Sequence, residues 1–150
     1  MRLEAKDNKN KVPTGPVQIN GKFVFPFEKL EVWQMSVDLA EKVLDLLEGV
    51  PQNKHIRLIG QMESAVTSSA QNIAEGRGRQ YKKEFIQFLH IAQGSIFEVV
   101  TLNDIFRRRA IFTAEDTNEV RSRCEQIDRK LNGLINSLRG NNRKKSVGVR

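Results

Sequence analysis

Cysteine, histidine and tryptophan are nearly missing from this chain: its 150 residues hold one Cys, two His and one Trp. Cys124 alone can make neither an intramolecular disulfide nor a thiolate zinc cluster, and it fits a reducing cytoplasm. His55 stands before the second apolar segment and His90 lies off the seam of the third. No Glu-x-x-His occurs, so a ferritin-like di-metal core is not expected, and no cofactor is implied. No GxxxxGK[ST] follows a strand, which excludes a nucleotide-hydrolysing P-loop. Serines cluster in SAVTSSAQN, Ser64 to Asn72, but no base and orienting partner accompany them; small side chains there let two helices approach closely. The carboxylates are scattered, with no acid–base pair forced together by spacing. The expectation is a protein that is not an enzyme. No apolar run approaches the ~20 residues that span a bilayer, and the charged start MRLEAKDNKNK lacks the apolar stretch of a secretory signal.

Positive charge is what the chain has in excess. Twenty-five Lys and Arg against 18 Asp and Glu give a formal net charge of +7. That balance favours polyanion partners such as RNA, DNA or an acidic protein surface.

The chain divides into an arm over residues 1–26, a helical body over 27–140 and a basic tail over 141–150. Pro13, Pro16 and Pro26 with Gly15 and Gly21 break any helix in the arm. QINGKFVF there has the makings of a hairpin around Asn20-Gly21. Beyond it, four seams run at steps of three and four. The first is Leu30, Trp33, Val37, Ala40, Leu44 and Leu47, widened by Val43 and Leu46 and stopped at Gly49-Val50-Pro51. The second is Ile59, Met62, Val66, Ser69, Ile73 and Gly76. The third is Phe85, Phe88, Ala92, Ser95, Val99, Leu102 and Phe106, fading at Arg107-Arg108-Arg109, where cations suit a helix C-terminus. Thr113-Ala114-Glu115-Asp116 reads as a capping box with Asp in the usual Glu position. The fourth seam follows it: Val120, Cys124, Ile127, Leu131, Leu134 and Leu138, closed by Gly140. Short connections make neighbours antiparallel, so the fold class is all-α, an up-down-up-down four-helix bundle.

The third helix has apolar residues beyond its seam: Ile86, Leu89, Ile91, Ile96, Phe97, Val100 and Ile105. A bundle helix keeps one wet face, and an apolar outer face would be sticky on a monomer. Ile86, Leu89, Ile96, Phe97 and Val100 are therefore expected to face a second copy of the chain. The competing reading has the arm, with Phe23, Val24 and Phe25, folded over this face.

Between the second and third helices stands Gly76-Arg77-Gly78-Arg79, followed by Lys82 and Lys83. One reading makes Gly76 or Gly78 a left-handed helix stop, with the arginines solvated or paired to Glu75 or Glu84. The other makes the turn an anion grip, with successive amides backed by Arg77, Arg79, Lys82 and Lys83. Tyr81 is the one aromatic placed to stack on a base. Topology puts this turn and the tail cations Arg143, Lys144 and Lys145 at one end of the bundle, and Arg107, Arg108 and Arg109 at the other.

FEKLEVWQMSVDLAEKV, LIGQMESAVTSSAQNIAEGRGR and KKEFIQFLHIAQGSIFEV, in that order and spacing, resemble the bacterial four-helix-bundle proteins associated with intervening sequences of 23S ribosomal RNA genes. The resemblance covers about residues 25–139. It implies a bundle that assembles into a ring, typically a pentamer. It also implies a distant similarity to the accessory variability proteins of diversity-generating retroelements, which bind nucleic acid and a reverse transcriptase. Glu63 stands where the family often has a base, so no basic face carries over to the second helix. The combined expectation is a cytoplasmic homo-oligomer binding RNA or DNA through its phosphate backbone, in the context of an rRNA or a reverse transcriptase. The alternative is a protein-interaction scaffold without nucleic acid.

Overall fold

The three-four spacing resolves into four helices in the computed structural model, which describes residues 9–140. They are α1 (Glu31–Glu48), α2 (Ile56–Arg77), α3 (Lys82–Arg108) and α4 (Ala114–Arg139). Each packs on its successor and α1 also packs on α4, so the antiparallel bundle closes on itself. Thr113 caps α4 by accepting the Asp116 amide at 3.1 Å, and its hydroxyl donates to the Asp116 carboxylate at 2.9 Å.

Ahead of the bundle, Asn20 and Gly21 both have positive φ, 51° and 74°. That is the backbone of a two-residue primed turn, and it joins β1 (Val17–Ile19) to β2 (Lys22–Val24) with Ile19 opposite Lys22. A short 3-10 turn over Pro26–Lys29 then leads into α1. The described part of the arm, Phe23, Val24 and Phe25 included, does not cover the outer face of α3. Instead the Val12 amide donates to the Gln80 carbonyl and the Lys82 amide to the Asn10 carbonyl, pinning the arm to the α2–α3 turn. Phe25 stacks on Phe27, and Phe27 meets Trp33 on α1.

The core is contributed by all four helices, with Leu39, Met62, Ile73, Phe85, Phe106 and Leu131 among its enclosed side chains. In α1 the buried strip is Val32, Ser36, Leu39, Ala40, Val43 and Leu47, while the expected Trp33, Val37 and Leu44 are only half-buried. Trp33 sits at the edge of the buried strip, against both the core and the Phe27 ring at 5.1 Å. The small residues of α2 do bring helices together. Ser69 lies 3.4 Å from Ser36 on α1, and Ser68 lies 2.9 Å from Ser95 on α3. Ser36 also donates to the Val32 carbonyl, and Asn72 donates back to the Ser68 carbonyl and hydroxyl, so these polar groups are satisfied inside the bundle.

The expectation that no segment matches a bilayer span is corrected by α3. Its 27 residues are long and apolar enough to cross a membrane by length and composition. The bundle accounts for that apolarity, since α3 buries Phe85, Leu89, Ala92, Ile96, Val99, Leu102 and Phe106.

The left-handed helix stop occurs at Ala110, φ 56°, and not at Gly76 or Gly78. The Ile111 amide reaches the Phe106 carbonyl at 2.8 Å and the Ala110 amide reaches Arg107 at 3.0 Å, the paired hydrogen bonds of a Schellman ending.

Candidate nucleic-acid interface

Glycine serves two different purposes in the Gly76–Arg79 turn. Gly76 is helical and buried, and a Cβ on it would stand 2.4 Å from Phe88 Cβ; Gly78 caps α2 with φ −77°, an ordinary right-handed value. Three amides of the turn and of the helix start after it are also occupied. Gly78 donates to the Ala74 carbonyl, Arg79 to Gly76 and Lys82 to Asn10. Those three amides are thereby engaged within the chain, next to the cationic side chains at this end.

Those side chains divide by environment. Arg77 is half-buried and donates to the Pro13 carbonyl; burial pulls its pKa below the ordinary value. Arg79 pairs with Glu75 at 3.2 Å and lies 4.7 Å from the centroid of the Phe88 ring, a cation–π contact. Lys82 and Lys83 open α3 and have no carboxylate partner among the described residues. Arg139 ends α4 beside them and donates to His90 Nε2 at 3.2 Å. Because Nε2 accepts there, the imidazole proton sits on Nδ1 and is donated to Gln93 Oε1 at 3.0 Å. Gln93 Nε2 in turn reaches Asp128 and Asn132 on α4 at 3.1 and 2.8 Å. This clasp of Arg139, His90 and Gln93 was missed in the sequence. Its signal was there: Ile86, His90, Gln93, Phe97 and Val100 repeat at four and three along one side of α3.

The structure does not gather all the expected cations. Arg107, Arg108 and Arg109 lie at the opposite end, roughly 40 Å away along α3 at 1.5 Å per residue, and Arg108 is tied to Asp104 at 2.9 Å. Mid-bundle charge is largely paired: Lys42 and Arg123 both hold Glu119 and keep its carboxyl below the usual range, Arg121 holds Glu125, and Lys130 holds Glu31. Arg143, Lys144 and Lys145 lie outside the described residues.

The expected self-association face is corrected in two positions. Leu89 and Ile96 point into the protomer's own core, 0% and 1% exposed, because α3 touches both α2 and α4 and so buries a wide arc. Phe97, Ile91 and Ile105 are the large apolar side chains that α3 shows to solvent, with Ile86 and Val100 half-buried beside them.

A closed antiparallel bundle with a cation-rich end is the class of protein defined here. The model of the 23S rRNA-intervening sequence protein family matches residues 28–133, and the chain belongs to that family. Among solved structures, the chain is similar to a protein of unknown function from the S23 ribosomal protein family of Bacteroides thetaiotaomicron VPI-5482. The TM-score is 0.63 and the identity 22%, over 69% of this chain and 97% of that one. No functionally curated protein matches.

Proposed function

We propose that this family member is a non-enzymatic, self-associating bundle that binds nucleic acid through its phosphate backbone at the α2–α3 end. The observation that carries the reading is the meeting of Lys82, Lys83 and Arg139 at one end of the bundle, with Arg77 and Arg79 alongside and no carboxylate paired to the lysines among the described residues. Point charges on flexible stems attract phosphate without reading sequence. Repetition of that end in a homo-oligomer joined through Phe97 and its neighbours multiplies the positive surface.

Binding to RNA and DNA of equal length, measured across a salt series, tests this. Affinity falls steeply with salt, and Lys82→Gln with Lys83→Gln lowers the slope by about 1–2. Absence of binding at the lowest salt removes the nucleic-acid half of the reading. A second reading, a protein-interaction scaffold, draws on the hairpin, where Val17, Ile19, Phe23 and Phe25 are each about half exposed. Capture of a protein partner that survives nuclease treatment favours it.

A further inference from the structure

We propose that the cavity beside the start of α3 is a subsite for one unstacked base of a single-stranded nucleic acid, with the adjoining phosphates on its rim. The inference rests on the backbone-binding reading above and adds the kind of strand. The cavity measures about 590 Å³, within the range of small-ligand pockets. Tyr81 and Ile86 supply ring and aliphatic surface, and the stems of Lys82 and Lys83 extend it while their ammonium groups reach the edge. Gln87 supplies an amide that both donates and accepts, which suits the heteroatoms around a base.

Among the described residues the charge around the opening is of one sign: Lys82, Lys83 and Arg139 line it and no carboxylate does. Arg139 is held in place by His90, which Gln93 orients in turn, so His90 is a positioning residue for the guanidinium. A purely apolar guest would leave these cations unanswered, and a bare phosphate would leave Tyr81 and Ile86 unused. A nucleotide unit answers both. A duplex keeps its bases stacked inside, so only a single strand delivers one into such a cavity at little cost.

The test compares two twelve-nucleotide single strands carrying the same number of phosphates, one with bases and one abasic, using wild type, Tyr81→Leu and Ile86→Ala. The base-bearing strand binds wild type about tenfold more tightly or better, as stacking on an aromatic requires. Tyr81→Leu and Ile86→Ala erase most of that difference and leave the abasic strand unchanged, with circular dichroism and thermal melting verifying that each variant is folded. Equal binding of the two strands to wild type overturns the subsite while the backbone reading stands. So does a base preference that survives both substitutions. Failure of both strands to bind at the lowest salt overturns the subsite and the backbone reading together. A free nucleoside monophosphate that competes at concentrations comparable to the strand overturns the assignment to a strand.

Discussion

Gly76 and Phe88 touch where no side chain fits between them: a Cβ added at Gly76 would lie 2.4 Å from Phe88 Cβ and 3.2 Å from its Cγ. The glycine lets the last turn of α2 lie directly on the first turns of α3. The same ring receives the guanidinium of Arg79 on its face, so one close approach seats both the helix pair and a cation of the candidate interface.

Gly76→Ala therefore overpacks this contact and destabilises the protein by about 1–3 kcal/mol. Gly60→Ala is the control. Nothing lies within 4 Å of a Cβ there, and replacing a helical glycine in open space stabilises by about 0.5–1 kcal/mol. Chemical denaturation of the two variants checks the opposite signs.

Ala110 is a left-handed residue with a side chain, where glycine is usual. Ala110→Gly relieves the clash of Cβ with its own backbone and raises stability by about 0.5–1 kcal/mol. A fall in melting temperature would contradict the assigned helix ending.

Burial pushes the Cys124 thiol up from 9.0 to about 12. The thiolate is the reactive form, so at pH 8 a thiol reagent modifies the folded chain about 1,000-fold more slowly than the unfolded chain. Linkage fixes the sign of the stability effect. Below pH 9 both states keep the proton and the contribution is whole; as pH rises from 9 through about 12 the unfolded chain releases it first, and stability is lost. Cys124→Ala lacks that component of the alkaline slope, which denaturation curves at successive pH values detect.

Phe97 is 56% exposed and Ile96 is 1% exposed, so the same substitution separates assembly from folding. Phe97→Asp leaves the protomer helical and lowers the mass measured by sedimentation. Ile96→Asp puts a charge in the core and unfolds the chain, since an unpaired buried carboxylate costs several kcal/mol. A folded Phe97→Asp variant with unchanged sedimentation mass shows that this face does not hold copies together.

The helices were legible because period and punctuation agreed. Met62, Val66 and Ile73 in α2, and Phe85, Val99 and Phe106 in α3, are buried as their spacing requires. The hairpin was legible because Asn-Gly supplies two positive φ values cheaply. Rotation about the helix axis was less legible. In α1 apolar residues occupy two adjoining strips, and the choice between them rests on packing against α2 and α4, which lie outside the helix. Ser36 reads as a surface residue until Val32 and Ser69 are seen to satisfy its hydroxyl. The Gly76–Arg79 turn misled for a related reason. A sequence shows that glycine is present, but whether it relaxes a dihedral or admits a neighbour is decided by Phe88, twelve residues on. Arg139 belonged to no basic run and was overlooked, although bundle topology alone carries the end of the fourth helix to the start of the third.

The hydroxyl pairs on α2 work as index marks between rods. Sliding that helix by one turn, about 5.4 Å, would break the Ser36–Ser69 and Ser68–Ser95 contacts and leave the buried Ser69 hydroxyl without its partner, and the Gln93 bridge to Asp128 and Asn132 penalises the same slip of α4. Greasy seams alone tolerate such offsets. With the marks engaged, the α2–α3 turn carrying Arg79 and Lys82 comes level with Arg139 at one rim, so two distant parts of the chain share one end.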